Sequence, residues 1–414
     1  MTIYQIITTL VVLSASFAYI NKRFLHLPIT IGLMLLGTVL SIIVLIYNQY
    51  NPASLSPIKT VVDGLDFSKI VLEILLSFLL FAGALHTDYD ALRDNKRSVI
   101  IFAFVSVLVS TFVVAGILLG ICTLFGLQIN FLYCLLFGAL ISPTDPIAVL
   151  GILTKANAPK KAEINIVGES LFNDGIGVVI FITFLSIINK GVSEVSVWDI
   201  LKLFLQEAVG GVVLGLFLGY IIFLLLRSID DYETEIIITL AAVMGGTWLA
   251  QSLHTSGPLA MVVAGLMTGH KSKLEAMSDR TRLYIDKFWH LIDVLMNAIL
   301  FVLIGLKFLS IEFNLTHLFI GLIALPLLIF ARYLSLIIPY TISKRWLDIN
   351  KKTILLMTWG GLRGGLSIAM ALSLSNSFEQ KNMFVLITYI VVMFSIFVQG
   401  LTIEKVVRRI YGGV

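Results

Sequence analysis

The chain has 414 residues, 58% of them apolar and 13% charged, with a net charge of +4 and a mean hydropathy of +0.99. Soluble domains carry about 25% charged residues, so this composition excludes an ordinary soluble protein and indicates a polytopic membrane protein. The two cysteines, Cys122 and Cys134, lie in apolar runs, which argues against a disulfide framework or a cysteine-built metal cluster; no basic stripe suited to nucleic acid lies outside short loops.

The first apolar run has no positive residue before it and is followed by Lys22 and Arg23. A cleaved signal peptide has the opposite order, so the run reads as a first transmembrane helix with its N-terminus outside. Further segments long enough to span fall at roughly 27–47, 68–86, 98–125, 130–153, 164–188, 200–226, 234–251, 255–269, 287–308, 317–343, 353–375 and 382–403. With the first, at 3–20, this predicts an all-α membrane protein of about thirteen transmembrane helices. Alternate loops share the basic residues unequally. Twenty-one lie on the side of the loop holding Lys22 and Arg23, and six on the other. The positive-inside rule makes the richer side cytoplasmic, which places the C-terminus inside.

Of the 29 basic residues, Arg332 and Arg363 alone fall within spans. Glu73, Asp145, Glu169 and Asp174 lie at depth, while Glu207, Asp293 and the histidines His86, His254, His270 and His290 read as nearer helix ends. Ionisable residues at depth are functional candidates by default; the competing reading is that these acids and arginines form purely structural ion pairs.

The fifth segment contains Ser142-Pro143-Thr144-Asp145-Pro146, and proline both removes a backbone donor and clashes with the preceding turn. The twelfth contains Gly360, Gly361, Gly364 and Gly365 around Leu362 and Arg363, each glycine weakening a helix by about 1 kcal/mol against alanine. Taking 1–190 and 234–414 as two inverted-topology repeats, with 191–233 as a connector, puts a broken helix fifth in each. Interrupted segments at matching positions of two halves point to a transporter's binding site, because non-helical backbone at membrane depth is tolerated where it lines a cavity.

In the sixth segment, Glu169 and Asn173 share one helix face, and Ser170 and Asp174 the adjoining one. Asp174, Ser170, Asp145 and a freed Thr144 carbonyl would offer hard oxygen ligands for a monovalent cation. Asp174 can hold a proton or a cation, not both comfortably. That competition, combined with alternating access, yields obligatory cation/proton exchange. Glu169 needs a buried partner, for which Arg332 is the natural choice, and Arg363 can compensate the negative end of a half-helix.

ISPTDPIAV, GESLFNDG and GLRGGLSIAMALSL together resemble the monovalent cation:proton antiporter-1 family, the NhaP-like sodium/proton antiporters related to the animal exchangers. The resemblance covers nearly the whole chain. It implies a homodimer in a bacterial or archaeal cytoplasmic membrane, serving pH homeostasis, in which a six-helix core moves against a dimerisation domain. It makes Asp174 the principal ion and proton carrier and Asp145, Ser170 and the Thr144 carbonyl its co-ligands. Glu169 and Asn173 become the supporting pair, Glu169 bridged to an arginine matched to Arg332, and Glu73 an acid reaching the ion through water. Asn173-Asp174, rather than two aspartates, implies electroneutral exchange, one Na+ or Li+ per H+. Only a short stretch follows the thirteenth segment, so regulation by a cytosolic tail is not expected. No cofactor is implied beyond the transported ions. K+/H+ exchange is the nearest alternative; an intramembrane aspartyl protease would need a Gly-x-Gly-Asp signature where this chain has Asn-Asp-Gly-Ile-Gly, and a cation channel would need no titrating acid.

Overall fold

The computed structural model describes residues 3–50, 66–145, 158–191, 196–344 and 349–412, together with Leu153 and Leu347. Among the described residues the regular structure is entirely helical. In chain order the helices are α1 (Ile3–Ile20), α2 (Ile29–Tyr50), α3 (Phe67–His86), α4 (Lys96–Leu124), α5 (Phe131–Ile141), α6 (Lys160–Lys190) and α7 (Val197–Ser228). They continue as α8 (Tyr232–Ser252), α9 (Gly257–Met267), α10 (Asp279–Lys307), α11 (Leu315–Ile342), α12 (Lys351–Gly360), α13 (Gly365–Ser373) and α14 (Lys381–Tyr411). Among the described residues nine of these are long and apolar enough to cross a membrane, and α12 with α13, bent by 53°, adds a tenth span. The other three expected segments are the shorter helices α1, α5 and α9, of 18, 11 and 11 residues.

Several starts are set by side chains that accept from the first-turn amides, which have no partner within the helix. Asn130 caps α5, Asp231 caps α8, Ser278 caps α10 and Asn350 caps α12, while Ser196 and Asp199 form a capping box on α7. Ser278 begins α10 at Asp279, well before the apolar run at 287 that marked it in the sequence. The polar first turns hid it. His290 and Asp293 consequently lie in the middle of a helix of 29 residues rather than near its end.

Helix pairs approach closely where glycine removes the side chain, the usual solution when no hydrophobic force separates helices from lipid. In the α2/α10 pair a Cβ on Gly305 would lie 2.8 Å from the Cα of Gly37. One apolar core gathers Phe81, Phe137, Trp289 and Phe384; a second gathers Met34, Phe301 and Ile304.

Both expected breaks fall where the sequence put them. α5 stops at Ile141 and the backbone from Pro143 to Asp145 is non-helical. Pro146 and residues 147–152 lie outside the described residues. In the twelfth segment α12 ends at Gly360, and α13 resumes at Gly365 after an extended Gly364.

Candidate functional site

The two breaks cross and are tied to one another. The backbone N–H of Asp145 donates to the Leu362 carbonyl at 2.8 Å. In return Arg363, 4% exposed, donates through Nη1 to the carbonyls of Ser142 at 2.5 Å and Pro143 at 3.1 Å. These are carbonyls that the end of α5 leaves without helical partners, so the cation sits against the negative end of a half-helix. Gly364 presses on Asp145: a Cβ there would lie 2.5 Å from Asp145 Oδ2. The first turn of α13 therefore presents its positive dipole end to that carboxylate.

α6 packs along the first break, and Gly177 leaves the room that Pro143 fills. Asn173 is fully buried and grips the break through both ends of its amide: Nδ2 donates to Thr144 Oγ1 at 2.8 Å and Oδ1 accepts from the Thr144 N–H at 3.3 Å. The Thr144 and Ser170 hydroxyls lie 3.0 Å apart in hydrogen-bond contact. Both residues are buried, at 2% exposure each.

One face further round α6, Glu169 meets Arg332 of α11 in a two-pronged pair, Nη1 to Oε1 at 2.6 Å and Nη2 to Oε2 at 2.7 Å. The side chains are 1% and 5% exposed. Planar guanidinium and carboxylate match atom for atom, which makes this the strong form of a charged hydrogen bond. Arg332 Nη1 also reaches Ser106 Oγ at 3.4 Å, which in turn donates to Ser335.

A cavity of about 550 Å³ opens beside the crossing, and Thr144, Asp145 and Asp174 all line it. Arg363, Asn173, Ser170, Glu169 and Arg332 stand behind this wall rather than in it. Glu73 lies on a π-helical stretch of α3, Ile70–Leu75, whose neighbours Val71 and Leu76 line the cavity while Glu73 is not among the lining residues.

The cavity extends to polar residues that the sequence reading left aside: His86, Thr87, Asp88, Lys160, His290 and Asp293. His86 ends α3, as expected, whereas His290 lies inside α10 because that helix starts early; with α3 running alongside α10, both line the same cavity as Asp174. His86 turns both ring nitrogens toward carbonyl oxygens, of Ala82 at 2.7 Å and Asp286 at 3.2 Å. Asn297 donates to Asp293 at 3.0 Å. A signal existed in the sequence: Asp286, His290, Asp293 and Asn297 recur at spacings of four, three and four along one helical face.

The family described as "Sodium/hydrogen exchanger, transmembrane" matches residues 12–409. The Na(+)/H(+) antiporter NhaP of Pseudomonas aeruginosa is 46% identical over 414 residues, 99% of this chain and 97% of that protein. The Na(+)/H(+) antiporter NhaH of Halobacillus aidingensis is 32% identical, covering 94% of this chain and 93% of its own length. Among solved structures, the sodium proton antiporter MjNhaP1 of Methanocaldococcus jannaschii at pH 8 superimposes with a TM-score of 0.77 over the full length of both chains, at 21% identity. The chain is a multi-pass membrane protein that belongs to the transmembrane sodium/hydrogen exchanger family.

Proposed function

We propose that the protein is a secondary antiporter that exchanges Na+ or Li+ for H+ by competition for Asp174. The observation that carries this reading is that Asp174 and Asp145 line one cavity where two interrupted helices cross. A carboxylate there is reachable by ions yet surrounded by protein, so it exchanges a proton for a cation when the cavity is open and carries either when it is closed. The names of the Pseudomonas and Halobacillus relatives, both Na(+)/H(+) antiporters, point the same way.

In this mechanism Asp174 is the carrier and Asp145 its co-ligand, with Thr144 and Ser170 contributing oxygens and Glu73 an outlying acid. Glu169 and Arg332 fix the inner face of α6, while Arg363 and Asn173 hold the breaks together. Asn173 brings no charge to the site and its amide binds Thr144 through both its nitrogen and its oxygen, which supports one cation per proton. The two halves, 1–190 and 234–414, act as inverted repeats, a reading supported by the crossing of their fifth helices. The active unit is a homodimer with each N-terminus outside and each C-terminus in the cytoplasm, in keeping with the loop charges.

The test is transport by the purified protein in proteoliposomes carrying an internal acid load. External Na+ or Li+ should collapse ΔpH at a rate that saturates with cation and does not change when the membrane voltage is clamped. Collapse driven by K+ alone would replace the named substrate. No collapse with any monovalent cation across the accessible pH range would overturn antiport.

A further inference from the structure

The Ser170 hydroxyl that the sequence offers as an ion ligand is in hydrogen-bond contact with the Thr144 hydroxyl, which also accepts from Asn173. A different hydroxyl in the cavity is unspent. Ser367 lines the same cavity as Asp145 and Asp174, is 1% exposed, and its Oγ has no hydrogen-bond partner among the described residues.

The cause is its position. A serine within a helix ordinarily donates to a carbonyl three or four residues back, as Ser373 does to Met370 at 2.8 Å in this same half-helix and Ser142 does to Gly138 at 2.7 Å. For Ser367 those places are Gly364 and Arg363, which belong to the break, where the backbone has left the helix. The break that lets α13 face Asp145 therefore also strips Ser367 of its local acceptor. Leu76, Leu300 and Leu366 line the cavity around it. A buried polar group without a partner is costly unless something in the cavity satisfies it.

We infer that the Ser367 hydroxyl oxygen is a ligand for the monovalent cation, supplied by the twelfth segment opposite Asp174 and Asp145. The inference rests on the antiport reading of this cavity and adds to it a neutral oxygen from the second half of the chain. Without that ligand the site's protein oxygens come from the fifth and sixth segments alone. With it, cation binding draws α13 toward α6 in a way that a proton on Asp174 does not, since a proton needs no shell of oxygens.

The measurement compares wild type with Ser367→Ala and Ser367→Thr in the ΔpH-collapse assay. For Ser367→Ala, KM for Na+ should rise about fivefold to tenfold, ~1 to 1.4 kcal/mol at 25 °C, with turnover at saturating Na+ within twofold of wild type. Ser367→Thr, which keeps the hydroxyl, should recover most of the affinity. An unchanged KM in Ser367→Ala, or a lower turnover at unchanged KM, overturns the assignment. Should Ser367→Ala fail to assemble, Ser367→Cys is read instead, because a thiol is a poor ligand for a hard cation and the same rise in KM is expected.

Sodium-dependent thermal stabilisation of the detergent-solubilised protein separates this inference from its premise. If wild type is stabilised by Na+ but collapses no gradient, antiport fails while the shift of the stabilisation midpoint in Ser367→Ala still decides the ligand. If Na+ neither stabilises wild type nor drives exchange, both readings fall.

Discussion

Glu169 and Arg332 form a buried, two-pronged charged pair, and their effect on stability is best read by removing each in turn. Breaking a buried pair costs about 3–5 kcal/mol because the remaining charge is left without a partner. Glu169→Ala should therefore lower the melting temperature sharply, and Glu169→Ala with Arg332→Ala should regain part of the loss. A double mutant no more stable than the single one would show that the pair is not an isolated unit. Asp174 is different in kind: it lines the cavity, and in the proposed mechanism it carries the chemistry instead of the fold. Asp174→Asn should abolish cation-driven ΔpH collapse while the protein elutes and melts as wild type does, because the amide keeps the volume and loses the titrating charge. Normal transport by that variant would remove the mechanism.

The elements that matter most are the two interrupted helices and the glycines that let them meet. Gly364 has no spare room, since a methyl group there would sit 2.5 Å from Asp145 Oδ2 and 2.7 Å from its Cβ. Gly364→Ala should therefore weaken cation affinity and lower stability together, the overpacking alone costing about 1–3 kcal/mol. An alanine variant with wild-type KM and melting temperature would mean that Asp145 can retreat without consequence. α10 adds a second lesson at this scale. Its stripe of Asp286, His290, Asp293 and Asn297 was present in the sequence, but the polar turns beginning at Asp279 concealed that one continuous helix carries it. An apolar window finds the part of a helix that lies in lipid and misses the part that projects beyond it. The Ser278 cap, readable as a start signal, marks the true beginning.

At the scale of the whole molecule, the cavity runs from the crossing of the breaks out to Asp88, Lys160 and Glu163 at the ends of α3 and α6. Lys160 bridges Asp88 at 3.6 Å with 78% of its side chain exposed, so this end meets solvent. Under the proposed orientation that end faces the cytoplasm. Cys122 and Cys134 are both buried, which makes a single introduced thiol a clean reporter. In oriented vesicles, Glu163→Cys should react with a membrane-impermeant maleimide applied from the cytoplasmic face and be protected from the other. Labelling from the outer face alone would reverse the topology.

The sequence by itself determined that this chain spans a membrane many times, where its helices break, and that Glu73, Asp145, Glu169 and Asp174 lie at depth, while it placed Asp293 nearer a helix end than the structure does. Those properties follow from local physics: the cost of charge in hydrocarbon, the missing N–H of proline and the weak helix propensity of glycine act on neighbours in the chain. The motif around Asp174 carried the family with it. Tertiary structure decided most of who meets whom. That Arg363 caps the carbonyls of Ser142 and Pro143, more than two hundred residues away, is a property of two crossing breaks and of neither one. The lining of His86 and His290, the contact between the Thr144 and Ser170 hydroxyls and the unpartnered hydroxyl of Ser367 likewise depend on which faces of separate helices come together. Glu73 shows the converse: its depth was legible, but its absence from the cavity lining was not. Periodicity assigns residues to a face, and only packing assigns that face to a neighbour.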